Sequence, residues 1–224
     1  MKITLLRTAA ALAVAAFLTI SPPAAAEPRE AAPTVLPIDA AVAALQSADE
    51  SRAGYSRTAF KHWTAGDNPT DGCNTRQEVL LAEAVTAPEV GPRCAITGGT
   101  WFSYYDEVTV EGARGLDIDH MVPLAEAWDS GASAWTAARR EAYANDQGQA
   151  SSLVAVTART NRSKSDQDPA EWLPPAPGAL CLYGAEWTAT KLRWNLTIDA
   201  QEKTALLDIA SSCDGTTVTY TPAP

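Results

Sequence analysis

The 224-residue chain contains two histidines, His62 and His120, and one of them sits in a run that could do chemistry. Asp117-Ile118-Asp119-His120-Met121-Val122-Pro123 is followed, further on, by Leu153-Val154-Ala155-Val156 and then Asn161-Arg162-Ser163-Lys164-Ser165-Asp166. A strand ending in Asp-His and a helix carrying Asn can gather all three side chains around one point. Such a set suits phosphodiester hydrolysis. The substrate is anionic and repels nucleophiles, and a divalent ion held by a carboxylate offsets that charge and steadies the leaving oxygen. Asp119 and Asn161 are hard oxygen ligands, which favour magnesium or manganese over zinc. A site of three or four histidines is impossible within one chain. His120 is therefore free to take a proton from water, its ordinary pKa lying near working pH.

The elements that must position these residues are legible in outline. Gly115 to Asp119 alternates apolar and polar residues, a strand signal ended by Pro123. Leu153 to Val156 reads as a second short strand, and Thr157 caps a helix over ARTNRSKS. One difficulty is geometric. Neighbours in a strand point to opposite faces, so Asp119 and His120 serve one phosphate only if the strand ends there and the chain bends.

Elsewhere, helical spacing covers Ile38–Leu45, with Asp39 as a possible cap, and Arg76–Ala84, with Thr75 as cap and Glu78 completing a capping box. Gly98-Gly99 and the aromatic and β-branched residues up to Val110 suggest short strands. Leu124–Trp128, Ala134–Ala144, Leu180–Leu196 and Asp199–Ser211 look helical. Lys2 and Arg7, an apolar run over Ala9–Ile20 and Ala24-Ala25-Ala26 form a secretory signal with cleavage near Ala26. Residues 1–26 are therefore set apart as signal peptide, 27–54 as flexible leader and short helix, and 214–224 as a polar tail. Residues 55–213 form the main domain. No membrane attachment is expected after cleavage. Export exposes Cys73, Cys94, Cys181 and Cys213 to oxidation. Pairs Cys73–Cys94 and Cys181–Cys213 are favoured because each closes a short loop, adding about 3 kcal/mol apiece in the loop-entropy model.

DIDHMVPLAEAW followed by LVAVTARTNRSKSD resembles the HNH, or ββα-metal, nuclease signature. It is similar to secreted HNH nucleases related to the C-terminal domain of GmrSD restriction enzymes, and the HNH domain of RNA-guided CRISPR nucleases begins and ends alike. The resemblance extends through Asp71–Leu80, Trp128–Ala132 and Pro169–Pro174, spanning roughly residues 55–210. It implies an α+β fold with a ββα-metal core in a mainly helical single domain. It implies His120 as general base, Asp119 and Asn161 as ligands of one divalent cation, Asp117 as a supporting partner, and Arg162 and Lys164 near the phosphate backbone. The middle Asn of the HNH name falls at Ser152, which would brace the histidine loop by a shorter hydrogen bond. The products implied are a 5′-phosphate and a 3′-hydroxyl.

Other residues have quieter readings. His62, in Phe60-Lys61-His62-Trp63, reads as a packed or surface histidine. Trp128, Trp135, Trp172, Trp187 and Trp194 read as core. Arg76 is expected to pin the disulfide loop by an ion pair, and Asp67, Asn68 and Asp71 to form a polar turn. The formal net charge of −10 excludes a basic nucleic-acid packer. Between Trp135 and Ser165, however, Arg139, Arg140, Arg159, Arg162 and Lys164 outnumber Glu141 and Asp146, which predicts a local basic strip. The expectation is a secreted, monomeric endonuclease using Mg2+ or Mn2+ on DNA, with RNA as a second candidate and little sequence specificity. Two alternatives are a phosphodiesterase on small substrates and a catalytically decayed binding domain.

Overall fold

The computed structural model describes residues 32–224, so the signal segment expected at residues 1–26 lies outside the described residues. Strand β1 (Thr34–Pro37) leads into helix α1 (Ile38–Ala44), whose cap position is Pro37, with Asp39 in the first turn. Helix α2 spans Thr75–Ala82. It is capped by Asn74 and Gln77 rather than by Thr75 and Glu78: the Asn74 side chain accepts from the Gln77 amide and the Gln77 side chain from the Asn74 amide. Glu78 instead reaches from the helix to accept the amides of Asp67 and Asn68, closing the polar turn.

Two hairpins follow, β2 (Glu89–Gly91) with β3 (Ala95–Thr97) and β4 (Thr100–Ser103) with β5 (Val108–Glu111). Strand β6 (Leu116–His120) precedes helices α3 (Leu124–Asp129) and α4 (Ala137–Ala144). Strand β7 (Leu153–Thr157) then pairs antiparallel with β6, Asp119 opposite Val154 and His120 opposite Leu153. Helix α5 (Ala158–Lys164) follows directly, its first turn capped by the Thr157 hydroxyl. Helices α6 (Leu180–Trp194) and α7 (Ala200–Ser211, capped by Asp199) and strand β8 (Thr217–Tyr220) complete the chain.

The β6–β7 ribbon is covered on both faces, which is why all five residues of β7 are buried and the segment reads as an apolar run. Leu153 and Ala155 pack with Leu116, Ile118, Val79, Leu80 and Trp101. Val154 and Val156 join the larger core of Val42, Phe60, Tyr183, Trp187 and Leu206. Full burial of each such side chain stabilises by about 1.5–3 kcal/mol. Trp187 and Trp194 are buried as expected, while Trp128, Trp135 and Trp172 pack partly buried against the same core.

One expectation needs correcting at the ends of the chain. Part of the flexible leader, Thr34–Pro37, and part of the polar tail, Thr217–Tyr220, pair as β1 and β8. Val218 is fully buried there, so apolar burial and ladder hydrogen bonds offset the ordering entropy of these end segments. The described residues form one mixed α/β domain closed by Cys73–Cys94 and Cys181–Cys213, the pairing expected from loop length.

Candidate active site

Residues two apart on a strand share a face, and residues three apart on a helix lie one turn apart. Asp117 and Asp119 on β6 therefore meet Asn161 and Lys164 on α5. The Asn161 amide nitrogen is 3.3 Å from Asp117 Oδ2, and Lys164 Nζ is 2.5 Å from Asp119 Oδ2. The Tyr105 hydroxyl donates to the same Asp119 oxygen at 2.7 Å. Asp119 Oδ1 is left as the oxygen on offer. Burial raises the Asp119 carboxyl above its ordinary value, opposed by Lys164 and the Tyr105 hydroxyl. Burial likewise lowers Lys164, opposed by Asp119.

Lys164 has no exposed surface; its ammonium also donates to His120 O at 3.0 Å and Met121 O at 2.8 Å. This corrects the expectation that it lies along a phosphate backbone. The lysine instead clamps the end of β6 from behind, satisfying its three donors internally.

His120 remains within β6, so the strand does not end before it, and its ring lies on the other side from Asp119. The imidazole is held between Trp63 and Tyr143, with ring centroids 5.4 Å and 6.4 Å away and near-parallel planes. Its Nε2 lies 2.9 Å from Ala144 O at the end of α4, so Nε2–H donates and Nδ1 keeps its lone pair. Burial pushes the ring's pKa down to about 3, fixing the neutral form. Trp63 adopts a left-handed backbone, φ 58°, uncommon for a bulky residue. His62 sits beside the pair, its ring 6.3 Å from that of His120, with Nδ1 2.8 Å from Phe60 O.

Asp119, His120 and Asn161 all line one cavity of about 470 Å³, bounded also by Tyr55, Arg57 and Arg162. The bend after His120, through Pro123, lets residues from opposite strand faces reach this space.

Ser152 braces the histidine loop through its backbone: its carbonyl accepts the Met121 amide at 3.1 Å. Its hydroxyl donates to Asp146 Oδ2 at 2.7 Å, in a hub where Asp146 also takes Arg193 and the Trp194 indole. Arg162 is exposed and lies 3.3 Å from Asp117 Oδ2.

Of the five cations in the expected basic strip, Lys164 is fully buried and Arg139 and Arg140 are partly buried. Arg140 donates to the carbonyls of Ala59, Ala132 and Trp135. Arg139 stacks over Trp135 and Trp194 and donates to Pro224 O. Arg159 and Arg162 remain exposed. Arg76 makes no ion pair with the disulfide loop but donates to Leu116 O at the start of β6. Sequence reasoning missed Tyr105, Trp63, Arg57 and Ala144. The run Phe60–Trp63 did carry a signal, in its density of aromatics beside the second histidine.

Comparison with known proteins identifies the family of the chain. Residues 85–209 match the family described as GmrSD restriction endonucleases, C-terminal domain. An uncharacterized secreted protein of Arthroderma benhamiae is 41% identical over 160 residues, covering 71% of this chain and 76% of that protein. No solved structure matches. The family match covers β6, β7 and α5 whole, together with the residues that pack on them from α3 to α6, and the chain belongs to the family of GmrSD restriction endonuclease C-terminal domains.

Proposed function

We propose that the chain is a secreted, divalent-metal-dependent HNH endonuclease whose ββα-metal core is β6, β7 and α5. The observation that carries this reading is the convergence of Asp119, His120 and Asn161 on one cavity, with His120 locked in the tautomer that leaves Nδ1 free. Family membership supports nuclease chemistry and a nucleic-acid substrate.

The donor set fits a hard cation. Asp119 Oδ1 is unshared, and the Asn161 amide turns its nitrogen to Asp117, leaving its oxygen available. A bound magnesium or manganese ion would supply charge neutralisation at the phosphate and at the leaving oxygen. His120 Nδ1 accepts a proton from the attacking water, with the anionic phosphate beside it offsetting the burial that holds the free ring's pKa down, while Ala144 O holds the ring in place and stabilises the resulting imidazolium. Trp63 and Tyr143 restrict the ring to one plane. Asp117 orients Asn161. Lys164 opposes the burial that raises the Asp119 carboxyl. Arg57 and Arg162 line the same cavity, and their guanidiniums would meet phosphate oxygens there.

The substrate is DNA, with RNA as a second candidate, cut with little sequence preference to a 5′-phosphate and 3′-hydroxyl. With only a few free guanidiniums, binding is weak and salt-sensitive. Secretion is supported by the relative's description and by the signal expected at residues 1–26; among the described residues no helix is long and apolar enough to cross a membrane. The chain acts as a monomer with cleavage near Ala26, and the nuclease domain extends over residues 55–213. Supercoiled plasmid incubated with magnesium, manganese, or EDTA tests this. Nicking and linearisation with either metal, stopped by EDTA, is expected; equal cutting in EDTA, or none with any metal, would refute it.

A further inference from the structure

A second group of titratable residues lies outside this site, where three distant segments meet. Glu50 follows a segment tied to Ile198 by the Ala48 amide and by the Gln46 carbonyl. Glu126 and Asp129 stand on α3, and Asp199 and Glu202 begin α7. One oxygen each from Glu50, Glu126 and Asp129 lies within 4.8 Å of the others, as does one each from Glu50, Asp199 and Glu202. These five carboxylates face two cations. Lys191 bonds Glu126 at 2.9 Å and Glu202 at 2.5 Å, and Arg52 bonds Asp129 at 2.6 Å.

The excess of negative charge is accompanied by unmet hydrogen bonding. Glu50 Oε1 and Asp129 Oδ1 are two of the three buried side-chain polar atoms without a partner among the described residues. The Asp129 side chain is only 6% exposed. A buried carboxylate oxygen with no donor costs free energy unless something cationic or protic meets it. Both orphan atoms belong to the same three-carboxylate set, and no lysine or arginine among the described residues bonds either one.

We propose that Glu50, Glu126 and Asp129 hold a structural calcium ion. Three carboxylates with oxygens this close offer the hard, anionic donors that calcium takes, and waters complete its shell. The ion joins the segment before Arg52 to α3. Arg52 also pairs with Asp166, two residues past α5, which lines the proposed catalytic cavity, so the clamp reaches that site through Arg52. Extracellular calcium-binding modules work at about 10⁻⁴–10⁻³ M, which suits an exported protein. A proton is the competing occupant: burial, with Glu126 adding to it, pushes Glu50 up to about 8, against Lys191 and with Asp199 and Glu202 nearby.

Thermal unfolding of the full chain with calcium chloride, read beside calorimetric titration, tests the proposal. At tenfold above half-saturation, calcium should raise the melting temperature of the wild type by about 3–5 °C. Asp119→Asn should keep that shift, because its change lies at the other site. Glu50→Gln and the double variant Glu50→Gln/Asp129→Asn should lose it. Calcium stoichiometry should fall by one between the wild type and the double variant. Loss of the shift in Asp119→Asn but not in Glu50→Gln would overturn the proposal. So would a wild type unmoved by 10 mM calcium, whatever its pH dependence.

Discussion

Among the described residues two lysines are fully buried, and they answer burial in opposite ways. Lys164 meets one carboxylate, Asp119, and two carbonyls; its pKa is lowered, because loss of water outweighs what a single anion returns. Lys191 meets Glu126 and Glu202 together with Ser130 Oγ and Thr197 O; its pKa is raised, burial again opposing, because two anions more than compensate. Burial is alike and residue type identical, so the number of facing carboxylates sets the sign. The first arrangement leaves one Asp119 oxygen free and nearly neutral surroundings, which suits a metal that binds and releases with substrate. The second leaves an excess of negative charge, which suits a structural ion that plays no part in turnover.

The largest effect expected is on activity. Asp119→Ala removes the charged ligand proposed for the metal and strands the Lys164 ammonium, so plasmid cleavage should be abolished at any practical magnesium concentration. Activity recovered by raising magnesium would place the charged ligand elsewhere and separate Lys164 from the metal site.

Next come the lysines themselves. Removing one partner of a buried ion pair costs about 3–5 kcal/mol. Lys191→Met leaves two carboxylates unpaired and Lys164→Met leaves one. Urea unfolding should therefore show the larger loss for Lys191→Met. Equal losses would mean that carboxylate number does not distinguish the two sites.

Asn161 offers a smaller change, because it is proposed as a neutral ligand. Asn161→Ala should lose activity that added metal partly restores, whereas Asn161→Asp should bind manganese more tightly in the free enzyme. If calorimetry finds both variants binding manganese as the wild type does, Asn161 lies outside the coordination sphere.

Much of this site was legible because its signals are local. The alternation in β6, the apolar run of β7, the Thr157 cap and the i, i+3 spacing of Asn161 and Lys164 are contained in short windows. Disulfide pairing followed from loop length alone. The groups that tune the site come from far along the chain and carry no local mark. Tyr105 reaches Asp119 from the β4–β5 turn, Trp63 stacks on His120 from an irregular segment, and Ala144 contributes only a backbone carbonyl. Lys164 read as a surface cation because a helix of seven residues gives too little pattern to tell its buried face from its exposed one. The β1–β8 pairing joins the two ends of the described chain, a contact that no window can contain.

The smallest expected effect concerns a carboxylate with no lysine in contact. Glu83 accepts the Ala155 amide at 2.7 Å, and burial pushes its pKa up to about 7. Below the ordinary value of 4.5 the group is protonated in both folded and unfolded chains; above 7 it is ionised in both. A raised folded-state pKa thus means stability lost as pH rises from about 4.5 to 7. Glu83→Gln should flatten the melting temperature over that window relative to the wild type. An unchanged slope would show that the backbone amide alone balances the burial.

The base assignment is tested most directly by measuring turnover and metal affinity together in His120→Ala. The ring is buried, neutral and fixed through Nε2, and a ligand role is left to Asp119 and Asn161. Plasmid cleavage should fall at least about 10²-fold, the usual scale for losing a general base, while calorimetric manganese affinity stays near that of the wild type. Collapse of manganese binding would make His120 a ligand and contradict the assignment; undiminished cleavage would contradict its role as base.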